Sequence, residues 1–335
     1  MSHAKRVGKP AIPRMIKSRV ERASAVIPSS SEPGFAPSDA FVVFAHATLR
    51  RELDELAAAR PRDSAAPTPH EIHQLRVAAR RLRVALRLFR RMLPSRDVAQ
   101  LRADLKWFAG ALGDVRDLDV YAENFRAYAH DVPAEQQHGL GAYELWLRRE
   151  RAEARSKLES VFSEPRYEAL LAKAGTFLAD GPSAGSLRRW RSLATRDGIR
   201  RSLATSSSRV HRLGDRITAR STPREIHELR IRSKRLRYEL EFFARAYPAL
   251  GPTARTVKAL QDLLGAHQDV YTATARLRRY AAVLRKQAAG PAPLPPALAE
   301  LRRSQLRHAR ALRQSFVAQW PPFVAIVNDA PKTVL

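Results

Sequence analysis

The sequence predicts an all-α protein built as two similar halves, each an up-and-down bundle of about four helices. Three observations carry this. The segment HEIHQLRVAARRLRVALRLF at 70–89 returns at 224–243 as REIHELRIRSKRLRYELEFF, 154 positions later, with 10 of 20 positions identical. Both copies repeat with the period of a helix, not of a strand. Long helical stretches are separated by short Pro- or Gly-containing breaks, and no segment reads as a convincing strand.

The chain in order gives these expectations. Residues 1–37 carry seven Lys and Arg against one acid before position 23, which reads as a disordered basic tail. A transit peptide has similar composition and is the alternative. Ser38 is placed to cap a helix over about 39–60, and a Pro-rich linker fills 61–69. The basic helix then runs towards Pro94, followed by helices over about 97–130, 134–162 and 165–179. Gly181 to Gly185 break the chain. The second half reads as helices at about 187–218, 223–246, 252–287 and 296–319, with a proline cluster before the last. The expected organisation is thus a tail (1–37), a domain over 38–325 with halves at 38–180 and 187–320, and a C-terminal tail (326–335).

On a helical wheel with His73 at the origin, Arg76, Arg80, Arg83 and Arg87 fall between about 280° and 340°. One histidine and four arginines share a stripe roughly 21 Å long. Leu75, Leu82, Leu86, Phe89 and Leu93 lie opposite and form the core face. In the second copy His227, Arg230, Lys234 and Arg237 repeat the stripe, and Glu241 stands where Arg87 would be. A charged stripe is ordinarily a solvated face. A solvated face, however, mixes signs to gain i,i+4 pairs, and 70–93 holds seven arginines and one acid. Cations stacked in both halves point to a bound anion. Arg81 and Arg235 lie off the stripe, near 80°, and could bind ligand or bridge to a carboxylate.

A second face lies on the next helix. Arg102, Lys106, Ala109, Gly110, Gly113, Arg116 and Asp117 share one side of it, and Lys258, Gly265 and Asp269 repeat that side later. The small residues admit either a ligand or a neighbouring helix. Asp117 and Asp269, single carboxylates among cations, suit orienting an arginine.

Composition sets the ligand class. A net charge of +27 and a pI near 11.3 attract polyanions: nucleic acid, acidic lipid or phosphate polymers. There is no cysteine, hence no disulfide or thiolate metal site, as suits a reducing cytoplasm. No apolar run reaches the length of a membrane span, and the N-terminus shows no secretory h-region. No cofactor motif is present, and nothing in the sequence sets an oligomeric state.

His-x-x-Arg-Val-x-x-Arg-Arg-Leu-Arg from His73, followed by Leu-Gly-x-x-Arg-Asp-x-Asp-Val at 112–120, with both motifs recurring, resembles the CHAD (conserved histidine α-helical domain) family over about 38–325. The resemblance implies two pseudosymmetric antiparallel four-helix bundles whose basic helices line a shared central groove or cavity. It also implies binding of inorganic polyphosphate, on polyphosphate granules in some members; with no Walker lysine loop and no His-Glu-x-x-His in the sequence, that binding is expected to be non-catalytic. The expected polyphosphate-binding residues are His73, Arg76, Arg80, Arg83, Arg87, Lys106, His227, Arg230, Lys234, Arg237 and Lys258. Gln268 departs from the pattern, standing where the first half has Arg116. Two other functions compete. One is weak nucleic-acid binding or granule scaffolding, against which the stripes lack interleaved aromatics for base stacking. The other is a phosphohydrolase, for which His130-Asp131 is the sole hint.

Overall fold

The computed structural model describes residues 36–334, apart from 37, 62, 64–66, 94, 180, 181 and 289 and the side chains at 95–97, 178 and 179. The basic tail expected over 1–37 lies outside the described residues, Ala36 excepted. The fold is all-α. Among the described residues there are ten α-helices and no strand: α1 (Phe41–Ala58), α2 (Pro69–Leu88), α3 (Ser95–His130), α4 (Leu140–Ser163), α5 (Pro165–Ala179), α6 (Ala184–Trp190), α7 (Thr195–Gly214), α8 (Pro223–Phe243), α9 (Gly251–Gln287) and α10 (Pro296–Asp329).

The two basic helices start alike. Thr68 and Thr222 each accept from the backbone N–H three residues on, while Glu71 and Glu225 reach back to the threonine N–H. Each start is a capping box with proline at the first helical position. Leu75, Leu82 and Leu86 in α2, and Leu229, Leu236 and Leu240 in α8, are buried as the wheel requires.

In the first half α1, α2, α3 and α5 pack in a ring, with α4 against α3; in the second, α7, α8, α9 and α10 close a ring. The halves meet through α2 on α8 and α1 on α7. An isolated antiparallel bridge between Ala40 and Ala194, positions 154 apart, lies in this seam. Around it Phe41, Phe44, Phe89 and Phe243 form one aromatic cluster. The Phe41 ring lies where a Cβ on Gly198 would be, so only glycine lets α1 and α7 approach this closely. A second cluster joins the far ends, where Phe125 and Tyr143 meet Tyr280 and Leu298, and the Tyr128 hydroxyl donates to Ala297 O at 3.0 Å. The two halves therefore share their cores at both contacts.

Of the boundaries that differ from expectation, four have a visible cause. The N-cap of α1 is Ala40, without a side-chain bond, and not Ser38. Extended backbone at Ala40 is required by the bridge, through which Phe41 N donates to Leu193 O and Thr195 N to Asp39 O. The same bridge needs extended Ala194, so the helix expected over 187–218 is two helices, α6 and α7. The helix expected from 134 begins at Leu140, because Ala134–Gln136 form a 3₁₀ turn and Gly139 takes φ +80°. Finally, α10 continues through Pro321 and Pro322 to Asp329. Trp320, Phe323 and Val327 are buried along one face, and Ala330 and Val334 follow them into the core. The segment 326–334 is packed structure, not a free tail.

A candidate polyanion-binding seam

Arg80 and Lys234 are equivalent residues on two helices, α2 and α8, that pack together, and Arg80 is the first of the charges that disfavour the Lys234 ammonium. Burial, and then Arg80, Arg230, Arg76 and Arg237, hold the half-buried Lys234 ammonium down to a pKa of about 6. Two of those guanidiniums belong to each half. Charges of both stripes therefore act on Lys234 together.

The flanking arginines are set by the second motif. Arg76 Nη1 lies 3.0 Å from Asp117 Oδ1. Its buried Nε makes no hydrogen bond, and lies 3.8 Å from where a Cβ on Gly113 would stand. Arg230 Nε lies 3.9 Å from the matching point on Gly265. The two glycines thus seat an arginine of the neighbouring basic helix. Asp117 orients a guanidinium, as its isolation among cations suggested. Burial is the main cause lowering the Arg76 pKa, with Arg80 and Arg116 acting against the support of Asp117.

The remaining expected residues divide. His73 lies on the exposed side of α2, and partial burial followed by Arg116 and Arg76 lowers its pKa. His227 instead pairs its Nδ1 with Gln268 Oε1 at 2.8 Å, at the position where the repeat departs. Arg83 lies near Arg80, Arg102 and Arg87, and burial is the first cause of its lowered pKa. Arg87 sits further along, where burial and then Arg102 and Arg232 lower its pKa. Arg237 donates to Gln261 Oε1 at 2.8 Å and pairs with Glu241. Lys258 is paired with Asp262 at 2.8 Å, whereas Lys106 is exposed on α3. The seam is thus strongest on the α2 side, and its α8 end is partly neutralised.

Arg81 is resolved in favour of the carboxylate. Its Nε and Nη2 each donate to Glu52 at 2.8 Å, and Nη1 donates to Glu241 at 2.8 Å. Its guanidinium also lies 5.0 Å from the Phe242 ring centroid. These groups link α1, α2 and α8. Arg102 and Arg116 belong to the seam and share the second motif's face with Lys106, so that motif was the signal for them. Asp119, in the same motif, serves packing: it accepts from Arg151 at 2.6 and 2.9 Å and from Arg155 at 3.1 Å.

His130 and Asp131 lie side by side and exposed, 3.4 Å apart. Among the described residues no group of three or more His, Cys, Asp or Glu is placed to hold a metal ion. Among them, too, no helix is long and apolar enough to cross a membrane.

Fold and seam together define a class: a two-copy helical domain whose paired basic helices meet across an internal pseudo-dyad. The CHAD domain family model matches residues 47–278, more than half of the chain, and the protein belongs to that family. Two solved structures share the fold. The crystal structure of the CHAD domain from the plant Ricinus communis is 22% identical, with a TM-score of 0.56, covering 89% of this chain and 94% of that one. PptA from Streptomyces chartreusis is 19% identical, with a TM-score of 0.67, covering 84% of this chain and 99% of that one. No curated protein matches.

Proposed function

We propose that the protein is a non-catalytic binder of inorganic polyphosphate, held in the seam between the two basic helices. The observation that carries this is Lys234, whose charge is disfavoured by its burial and then by two arginines from each half. Cations forced together at such cost are relieved by one anion spanning both stripes. A phosphate chain supplies dense charge without bases, and the guanidinium forks suit its oxygens. Membership of the CHAD family supports the same ligand. A cytoplasmic location, on polyphosphate granules, goes with this reading. Weak binding of nucleic acid follows from the net charge alone and is secondary.

Long-chain polyphosphate is expected to bind tightly and orthophosphate weakly, with affinity falling steeply as salt rises. Several cations are neutralised at once, and counterions are released from the polymer. Calorimetric titration at several salt concentrations checks this, with DNA as competitor and phosphate release assayed with and without divalent metal. A flat salt response, equal affinity for orthophosphate, preference for DNA or steady phosphate release would each contradict the reading.

A further inference from the structure

We infer that a bound phosphate chain leaves the seam in one direction only, over a cationic flank formed by Arg87 of α2, Arg209 of α7 and Arg232 and Arg235 of α8. This rests on the polyphosphate reading above and adds to it where the polymer runs outside the seam.

The internal repeat provides the comparison. The pseudo-dyad relates this flank to the one holding Glu241, Glu55, Ala78 and Arg81, each 154 positions away. Four positive charges on one side therefore correspond to two negative and one positive on the other. On the acidic flank Arg81 is locked between Glu52 and Glu241 at 2.8 Å, Glu241 also takes Arg237, and Glu55 lies 3.9 Å from Arg51. A polyanion moving that way meets carboxylates. On the basic flank, Arg235 has Ser206 and Arg87 where Arg81 has Glu52 and Glu241. Among the described residues no carboxylate stands within ion-pair distance of Arg87, Arg209 or Arg235, and Arg232 has a long contact of 3.5 Å to Glu228.

These guanidiniums act on one another. Burial, then Arg87 and Arg232, hold Arg235 down to a pKa of about 10, with Arg209 adding to them. The carboxyl group beside them, Glu239, is buried and pushed up to about 7 by that burial, with Ser206 and Ser202 opposing; Ser202 Oγ donates to it at 3.2 Å. It is thus turned to α7 and offers Arg235 only part of a counter-charge. Arg87 and Arg209 are exposed. Arg87 is also near Arg102, which with Arg83 makes the cationic path continuous with the stripe.

The test compares chain lengths. Tripolyphosphate is short enough to be satisfied within the seam; a long-chain polyphosphate reaches the flank. In the pair variant Arg209→Glu with Arg235→Gln, the first change installs the residue of the equivalent position. Long-chain affinity should fall roughly tenfold to a hundredfold, with tripolyphosphate affinity kept within about twofold. The single change Arg209→Glu, at an exposed position, guards against misfolding and should give a smaller loss in the same direction. Equal losses for both ligands, or none for the long chain, would overturn the one-way path. If the wild type binds neither ligand, the polyphosphate reading itself fails, and this outcome is separable because it needs no variant.

Discussion

Arg81→Ala is expected to destabilise the fold by about 3–5 kcal/mol, the scale for removing one partner of a buried ion pair. Glu52 is only 1% exposed, and both of its oxygens accept from Arg81 at 2.8 Å. Without the guanidinium its charge stays in the core without its partner, and Glu241 loses its link from α8 to α2. The equivalent change, Arg235→Ala, should cost less than about 1 kcal/mol, because burial and then the neighbouring guanidiniums of Arg87 and Arg232 already disfavour its charge. Denaturant unfolding of the two variants measures the contrast directly. Equal effects would mean that the repeat's charge asymmetry has no structural consequence.

Lys234→Met should separate stability from binding. With a folded pKa of about 6 against a reference of 10.5, the unfolded chain binds more protons between those values. Wild-type stability therefore rises with pH across that window and levels off above it. The methionine variant should lack this slope and gain more than about 1 kcal/mol at neutral pH. It should also bind polyphosphate more weakly. A bound polyanion favours the ammonium and raises its pKa, so binding takes up a proton near neutrality. Affinity then strengthens as pH falls towards about 6 and flattens below it. Calorimetry in buffers of different ionisation enthalpy reads the uptake. It should persist in His73→Gln and fall sharply in Lys234→Met. Uptake lost in His73→Gln and kept in Lys234→Met would move the proton site to the imidazole.

What the sequence revealed depended on whether a feature is local. The stripe on α2, its core face and its repeat on α8 follow from periodicity alone, and the structure places them so. The pairing of Asp117 with a stripe arginine followed from its isolation among cations. Arg81 did not declare itself: at 80° it borders both stripe and core, and its partners Glu52 and Glu241 lie 29 and 160 positions away. The Ala40–Ala194 bridge is equally non-local, so neither the start of α1 nor the break before α7 was readable. The last helix was expected to end near 319, yet the buried face of Trp320, Phe323 and Val327 carries α10 on through Pro321 and Pro322. The charge reversal of the flanks is present in the repeat alignment, at 55 and 209 and at 87 and 241. It becomes meaningful only once the packing of the two halves is seen to bring Arg209 of α7 near Arg87 of α2, and Glu241 of α8 onto Arg81 of α2.

The central claim is that residues from both halves hold one polymer. Titrating long-chain polyphosphate into three proteins tests it most directly: the wild type, Arg76→Ala/Arg80→Ala/Arg83→Ala, and Arg230→Ala/Lys234→Ala/Arg237→Ala. A single class of site is expected in the wild type, with each triple variant weakened by roughly a hundredfold or more at unchanged helical content. Wild-type affinity in either variant would show that one stripe binds alone and that its repeat in the other half is structural.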